Sequence, residues 1–192
     1  LAAPVSLSGG GKDLYIQQSR FHDQFAADVS ISEAAGMAAG QRPITEAALN
    51  EAASAPTWKS VPSWFIYGDQ DKNIPPQALA FMAERAKARK TEVIRGASHV
   101  VMVSNPEQVA PTSAVTFGSE ARAVTPAGPP MPSFGPLRQI DAGGLSIGYV
   151  DAGPSNGRPV ILLHGWPYDI HSYAEIVPAL ASKGFRVIVP YL

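Results

Sequence analysis

A chain of 192 residues, 45% hydrophobic and 16% charged, is long enough for a globular domain with a real core and too apolar to read as disordered. A formal net charge of −1 excludes the basic field that nucleic acid needs, and the absence of cysteine excludes a disulfide framework, a thiolate nucleophile and a cysteine metal site. The longest apolar runs, "PVILL" and "FRVIVP", are far shorter than the roughly 18 residues of a membrane span, and no signal pattern opens the chain. The sequence reads as soluble, with cytoplasmic placement favoured, and its Leu1 start and its stop directly after a strand-like run suggest a fragment cut at both ends.

In chain order, residues 1–60 are expected to form a helical segment, with Phe21, Phe25 and Ala26 spaced for one face inside "DLYIQQSRFHDQFAADVSISEAAGMAA". His22 lies there without a partner at metal-ligand spacing and reads as a surface or packing residue. Residues 61–110 alternate short apolar runs with helical spacing. "PSWFIYG" reads as a buried parallel strand. "PPQALAFMAERAKARK" is an amphipathic helix with Leu79, Met82, Ala83 and Ala86 on one face, "TEVIRGASH" is a second strand, and "SNPEQVA" starts another helix. Strand, helix, strand, helix implies a parallel α/β sheet. Residues 111–136, rich in Pro, Gly, Ser and Ala and without periodicity, read as a linker.

Residues 137–192 begin with "RQIDAGGLSIGYVDAG", two short strands joined through Gly143 and Gly144, followed by "PVILLHG" as a buried strand. "SYAEIVPALASKG" puts Tyr173, Ile176, Val177 and Leu180 on one helical face, with Pro178 expected to kink or split the helix. "FRVIVPYL" reads as one more buried strand.

Two residues in the 61–110 block carry the strongest chemistry. Asp71 in "YGDQD" follows the glycine that ends the first strand, and His99 in "GASH" stands at the same kind of position after the next, 28 residues on. Adjacent parallel strand ends bring such side chains together, and a carboxylate that holds an imidazole in one tautomer leaves its other nitrogen free as a general base. Asp71 alone also fits a helix-capping carboxylate. In "VILLHGWPYD" the strand breaks at His164-Gly165, so that the backbone N–H of Trp166 can turn toward an anionic intermediate, with Pro167 supporting a tight loop and His164 anchoring it. His171 begins a helix, has no evident catalytic partner and is expected to be exposed.

"GDQD", "GASH" and "HGWP" together resemble the α/β-hydrolase superfamily, in which such turns supply the acid, the base and the oxyanion loop. "HGWP" is similar to the epoxide-hydrolase and haloperoxidase-like esterase branches. The resemblance implies a partial α/β-hydrolase fold. Residues 1–110 correspond to a cap-like segment and a C-terminal half, and residues 137–192 to an N-terminal third. It also implies a cofactor-free and metal-free hydrolase of esters or related small apolar substrates, with Asp71 as acid, His99 as base and the Trp166 N–H in the oxyanion hole, supported by His164, Gly165 and Pro167. The partner implied is a small-molecule substrate, with neither nucleic acid nor membrane, and the oligomeric state is left open.

The sequence departs from that pattern in two ways: acid and histidine precede the oxyanion loop, and the nucleophile is missing. Gly144-Leu145-Ser146-Ile147-Gly148 spells the nucleophile motif, but an elbow needs a buried strand before the serine and a helix after it. Ser146 is preceded by a turn and followed by a strand, so it reads as a hairpin residue. Two accounts remain: a junction between the C-terminal half of one hydrolase and the N-terminal third of a second, or one circularly permuted hydrolase without its middle. A non-catalytic module that binds a small molecule is the alternative function. In a compact single domain, "SWFIYG" and "PVILLHG" would lie parallel in one sheet.

Overall fold

The computed structural model describes residues 1–116 and 134–192, which divide into two compact units, Leu1–Ser104 and Asn105–Leu192. Most of the expected linker lies outside the described residues.

The first unit opens with three short antiparallel strands, β1 (Val5–Ser6), β2 (Lys12–Leu14) and β3 (Ile44–Thr45), in the order β1-β2-β3. Between β2 and β3 lie α1 (Gln18–Phe25) and α2 (Ile31–Ala39), and α3 (Glu46–Asn50) follows β3. The helix expected from Asp13 onward therefore starts later, and the segment also contains strands. Two- and three-residue strands carry too little alternation to be seen in a sequence. The helical face is as expected: Phe21, Phe25 and Ala26 are buried, and α1 packs on α2, which adds Ala34, Met37 and Ala38. Ser30 caps α2, its hydroxyl accepting from the Glu33 N–H at 3.2 Å.

β4 (Trp64–Gly68), α4 (Pro76–Arg85) and β5 (Lys90–Ile94) form the expected strand–helix–strand unit, and the strands are parallel in a register that runs from Trp64↔Lys90 to Gly68↔Ile94. Pro76 opens α4 where a missing N–H is harmless. The strands are less buried than their apolar runs imply: Trp64 and Val93 are exposed, and Met82 and Phe81 on α4 likewise. In a two-stranded sheet both strands are edges, so burial concentrates at their C-terminal ends, at Tyr67 and Ile94. The short α5 (Val101–Ser104) closes the unit.

The second unit starts with α6 (Pro106–Thr116), which runs past position 110, where a linker was expected to begin. Its sheet holds β6 (Arg138–Ala142), β7 (Leu145–Ala152), β8 (Arg158–Ile161) and β9 (Phe185–Pro190) in the order β6-β7-β9-β8. β6 and β7 are the expected hairpin. Their pairing reaches Ala142↔Leu145, leaving Gly143 and Gly144 as a two-residue turn with φ of 62° and 95°, which strongly favours glycine. β9 pairs antiparallel with β7 and parallel with β8.

Between β8 and β9 come a 3-10 turn at Ile170–Tyr173 and α7 (Ile176–Ala181). The expected single helix is thus split, and Pro178 falls in the first turn of α7, where its lack of an N–H leaves no bond unmade. Ile176, Val177 and Leu180 are buried against β9, whose Phe185, Val187 and Val189 alternate inward, while Val150 of β7 and Val160 of β8 add to the same core. β8 departs from the expectation of a fully buried strand, since Ile161 is 62% exposed on this sheet edge. "SWFIYG" and "PVILLHG" belong to different sheets, which corrects the expectation that they share one: β4 pairs with β5, and β8 with β9.

Candidate functional site

Because β4 and β5 are parallel and in level register, the loops after them leave the same edge of the sheet. Gly68 ends β4 directly against the second loop: a β-carbon there would lie 2.1 Å from the Ala97 carbonyl oxygen and 2.5 Å from that of Ser98. Only glycine permits this approach. Hydrogen bonds then stitch the loops together, from Asp69 N to Ile94 O at 3.1 Å, from Gln70 N to Ala97 O at 3.0 Å, and from Gly96 N to the Asp69 carboxylate at 2.7 Å. Gly96, at φ 77°, makes the turn that sends the chain back toward Ala97.

These contacts bring Asp71 and His99 together, with Asp71 Oδ2 2.7 Å from His99 Nδ1. The other carboxylate oxygen, Oδ1, accepts from the N–H groups of Asn73 at 2.8 Å and Ile74 at 2.9 Å. Asp71 is therefore both the turn carboxylate and the imidazole's partner, two readings that the sequence left side by side. Its side chain is 3% exposed and that of His99 26%. Nδ1 donates to the carboxylate, and Nε2 is left to accept a proton, the tautomer that a general base requires. The imidazole packs on the Phe25 ring at 5.0 Å between centroids.

Asp28 escaped the sequence reading. Ser98, next to His99, has its hydroxyl on the Asp28 carboxylate and 3.3 Å from the Phe25 carbonyl. Burial pushes the Asp28 carboxyl up, but hydrogen bonds from Ser98 and Ser104 outweigh it and hold the group below the ordinary carboxylate range. The segment after α1 thus fixes the loop that carries His99. Nothing in "FAADVS" announces a contact to a residue 70 positions away.

The second unit holds the remaining candidates. His164 is half-buried and anchors its loop, Nε2 accepting from the Leu192 N–H at 3.1 Å, and Tyr173 donates its hydroxyl to the Leu163 carbonyl at 2.6 Å. Trp166-Pro167 is a cis peptide, and Pro167 is fully buried. A β-carbon on Gly165 would meet nothing within 4 Å, so packing does not demand a glycine there. Among the described residues the Trp166 backbone N–H has no hydrogen-bond partner.

Asp169 is the organiser that the sequence reading missed: its carboxylate accepts from the Tyr191 hydroxyl at 2.7 Å, the His171 N–H at 2.9 Å and His171 Nδ1 at 2.8 Å. His171 is exposed as expected but does have a carboxylate partner, two residues back, at the cap of the 3-10 turn. Burial pulls the Asp169 carboxyl up, and the Tyr191 and His171 hydrogen bonds hold it below its ordinary value.

Ser146 lies within β7, paired with Asp141 of β6, exposed, its hydroxyl 3.4 Å from the Gln139 side-chain oxygen. That is antiparallel hairpin geometry and not the strand-to-helix turn of a nucleophile. His22 Nε2 donates to the Val29 carbonyl at 3.1 Å, a packing role. Among the described residues no cluster of His, Cys, Asp or Glu could hold a metal ion, and no helix is long and apolar enough to cross a membrane.

A haloalkane dehalogenase of Mycobacterium marinum is 44% identical over 48 residues, which are 25% of this chain and 16% of that protein. A soluble epoxide hydrolase of a Corynebacterium species is 45% identical over 49 residues, 26% of this chain and 16% of its own. A crystal structure of a Klebsiella pneumoniae protein assigned as an epoxide hydrolase is 71% identical where it aligns, over 31% of this chain and 20% of that one, with a TM-score of 0.30. The chain spans about a sixth of the length of the curated relatives it matches. Residues 2–112, more than half of the sequence and including both Asp71 and His99, match the alpha/beta hydrolase family, and the chain belongs to that family.

Proposed function

We propose that Asp71 and His99 are the acid and base of a nucleophile–histidine–acid hydrolase acting on esters or related small apolar substrates, and that its nucleophile is not supplied by this chain. The observation that carries this reading is the 2.7 Å contact between Asp71 Oδ2 and His99 Nδ1, with the other carboxylate oxygen held by two backbone N–H groups. In that reading His99 Nε2 takes the proton of an incoming nucleophile and returns it to the leaving group, while Asp71 orients the ring and stabilises the imidazolium. In the second unit the Trp166 N–H is the candidate oxyanion donor of a separate hydrolase. The relatives named as dehalogenase and epoxide hydrolase favour small apolar substrates.

The separate sheets of the two blocks support the junction account over a single permuted domain. Asp71 and His99 then serve one hydrolase, and the Trp166 loop belongs to another.

Rapid-mixing hydrolysis of p-nitrophenyl acetate by the 192-residue chain tests the proposal. The expected result is no burst of product, with slow turnover that His99→Ala removes and Ser146→Ala leaves unchanged. A burst abolished by Ser146→Ala would make Ser146 the nucleophile and overturn the reading.

A further inference from the structure

The opposite edge of the β4–β5 sheet holds a second feature. The residues before β4 and those between α4 and β5 enclose an open cleft of about 440 Å³, lined by Trp58, Lys59, Arg85, Lys87 and Arg89 together with the Ser60–Pro62 turn. A volume in this range suits a small molecule. The cleft lies at the N-terminal ends of the strands, whereas Asp71 and His99 stand at the C-terminal ends, so five strand residues, roughly 16 Å, separate the two.

The chemistry of the lining is one-sided: it contains four cationic side chains and no carboxylate. Among the described residues none of the four forms an ion pair. Two indoles hold three of the four cations in place. The Arg85 guanidinium lies 5.0 Å and the Lys59 ammonium 5.6 Å from the Trp58 ring, and the Arg89 guanidinium lies 5.4 Å from the Trp64 ring. A guanidinium stacked on an aromatic face keeps its N–H edge free for an oxyanion, and its planar fork matches phosphate oxygens. The floor is fixed too, since Arg89 N donates to the Ser63 carbonyl at 2.8 Å, joining the two lining segments.

A helix dipole accounts for only part of this arrangement. Arg85 and Lys87 sit at the C-terminal end of α4, where cations are favoured in any case, but Lys59 and Arg89 are on other segments. Lys87 also adopts φ 50°, a left-handed conformation at a position that glycine ordinarily fills. A lysine there carries a conformational cost that a glycine would avoid, and it adds a charge to the lining.

We propose that this cleft is a binding site for a small molecule bearing a phosphate or pyrophosphate group, distinct from the Asp71–His99 pair. Three tryptophans, Trp58, Trp64 and Trp166, give separate indole N–H resonances, and inorganic pyrophosphate is the probe. Titrated into the full chain at low salt, it is expected to shift the Trp58 and Trp64 signals saturably while Trp166 stays in place, with affinity falling as salt rises. Replacing Arg85 and Arg89 together by glutamine is expected to weaken binding by about tenfold or more, since each removes a charge-assisted bidentate contact. Lys87→Gly, which suits the local backbone and leaves the fold intact, is expected to weaken it by a smaller factor. Undiminished affinity in both variants, an equal shift at Trp166, or no saturable shift at all would overturn the proposal. So would an acidic peptide that binds the cleft and that pyrophosphate fails to displace.

Discussion

Gly68 and Ala97 are in such close approach that the first has no room for a side chain: its missing β-carbon would sit 2.1 Å from the Ala97 carbonyl oxygen. The obstacle is backbone and cannot swing aside. Gly68→Ala is therefore expected to destabilise the first unit by about 1–3 kcal/mol, at the upper end of overpacking, and to part the two loops. Chemical denaturation measures the first effect. The second is read from loss of the low-field His99 Nδ1–H proton signal, and an unchanged spectrum would mean that the loops tolerate separation.

The Asp71–His99 contact fixes a tautomer as well as a position. Asp71→Asn is nearly isosteric, and the amide oxygen or nitrogen can satisfy either ring form, so the Nδ1–H tautomer is expected to lose its dominance. Ring nitrogen chemical shifts of His99 in the two proteins decide this. Equal shifts would show that another group sets the tautomer.

In the second unit Asp151 receives Arg186 at both oxygens, at 2.9 and 2.7 Å, and Arg138 at 2.8 Å. The Arg186 hydrogen bonds hold its carboxyl below the ordinary range, and Asp169 is shifted the same way. A folded-state pKa below the unfolded one contributes stability that is fully present above the unfolded value and lost as pH falls through the folded one. The urea midpoint of this unit is expected to be flat near neutral pH and to fall below about pH 4. Asp151→Asn with Asp169→Asn should lower the midpoint at neutral pH and flatten the acid limb. A limb of the same steepness in the double variant would assign acid sensitivity to other groups.

Leu180 and Ser146 mark the extremes of tolerance in that unit. Leu180 is fully buried under β9, and Leu180→Ala is expected to cost about 2–5 kcal/mol through lost burial and a residual cavity. Ser146→Ala on the exposed face of β7 should stay within about 0.5 kcal/mol of the parent. Paired thermal melts compare them. A large loss at Ser146 would mean that the hairpin carries stability at this exposed position and is not tolerant there.

Legibility in the sequence followed the range of the interaction. The Asp71 and His99 turns were readable because each lies at a strand end bounded by a nearby glycine, and the inward alternation of Phe185, Val187 and Val189 is local by nature. Asp28 was not readable, because its role exists only through Ser98, far away in the chain. Asp169 was missed for a different reason: its cap to His171 is local, but the Tyr191 hydroxyl that completes it arrives from beyond β9. The burial of β4 and β8 was overestimated because apolar runs announce what a strand can bury and not whether a neighbour is present to cover it.

The sheet order β6-β7-β9-β8 has a consequence for synthesis on the ribosome. The β6–β7 hairpin can close as soon as it emerges, and β8 follows it, yet these two neighbours in sequence never bond to each other. Each must hold an open hydrogen-bonding edge until β9, the last of the four to be made, inserts between them. In the interval the nascent chain presents two unsatisfied strand edges flanked by Val150 and Val160, a state in which pairing with another chain competes with completion. Slow translation across residues 162–184 would lengthen that exposure, and β9 ends it by supplying both missing pairings with a single strand.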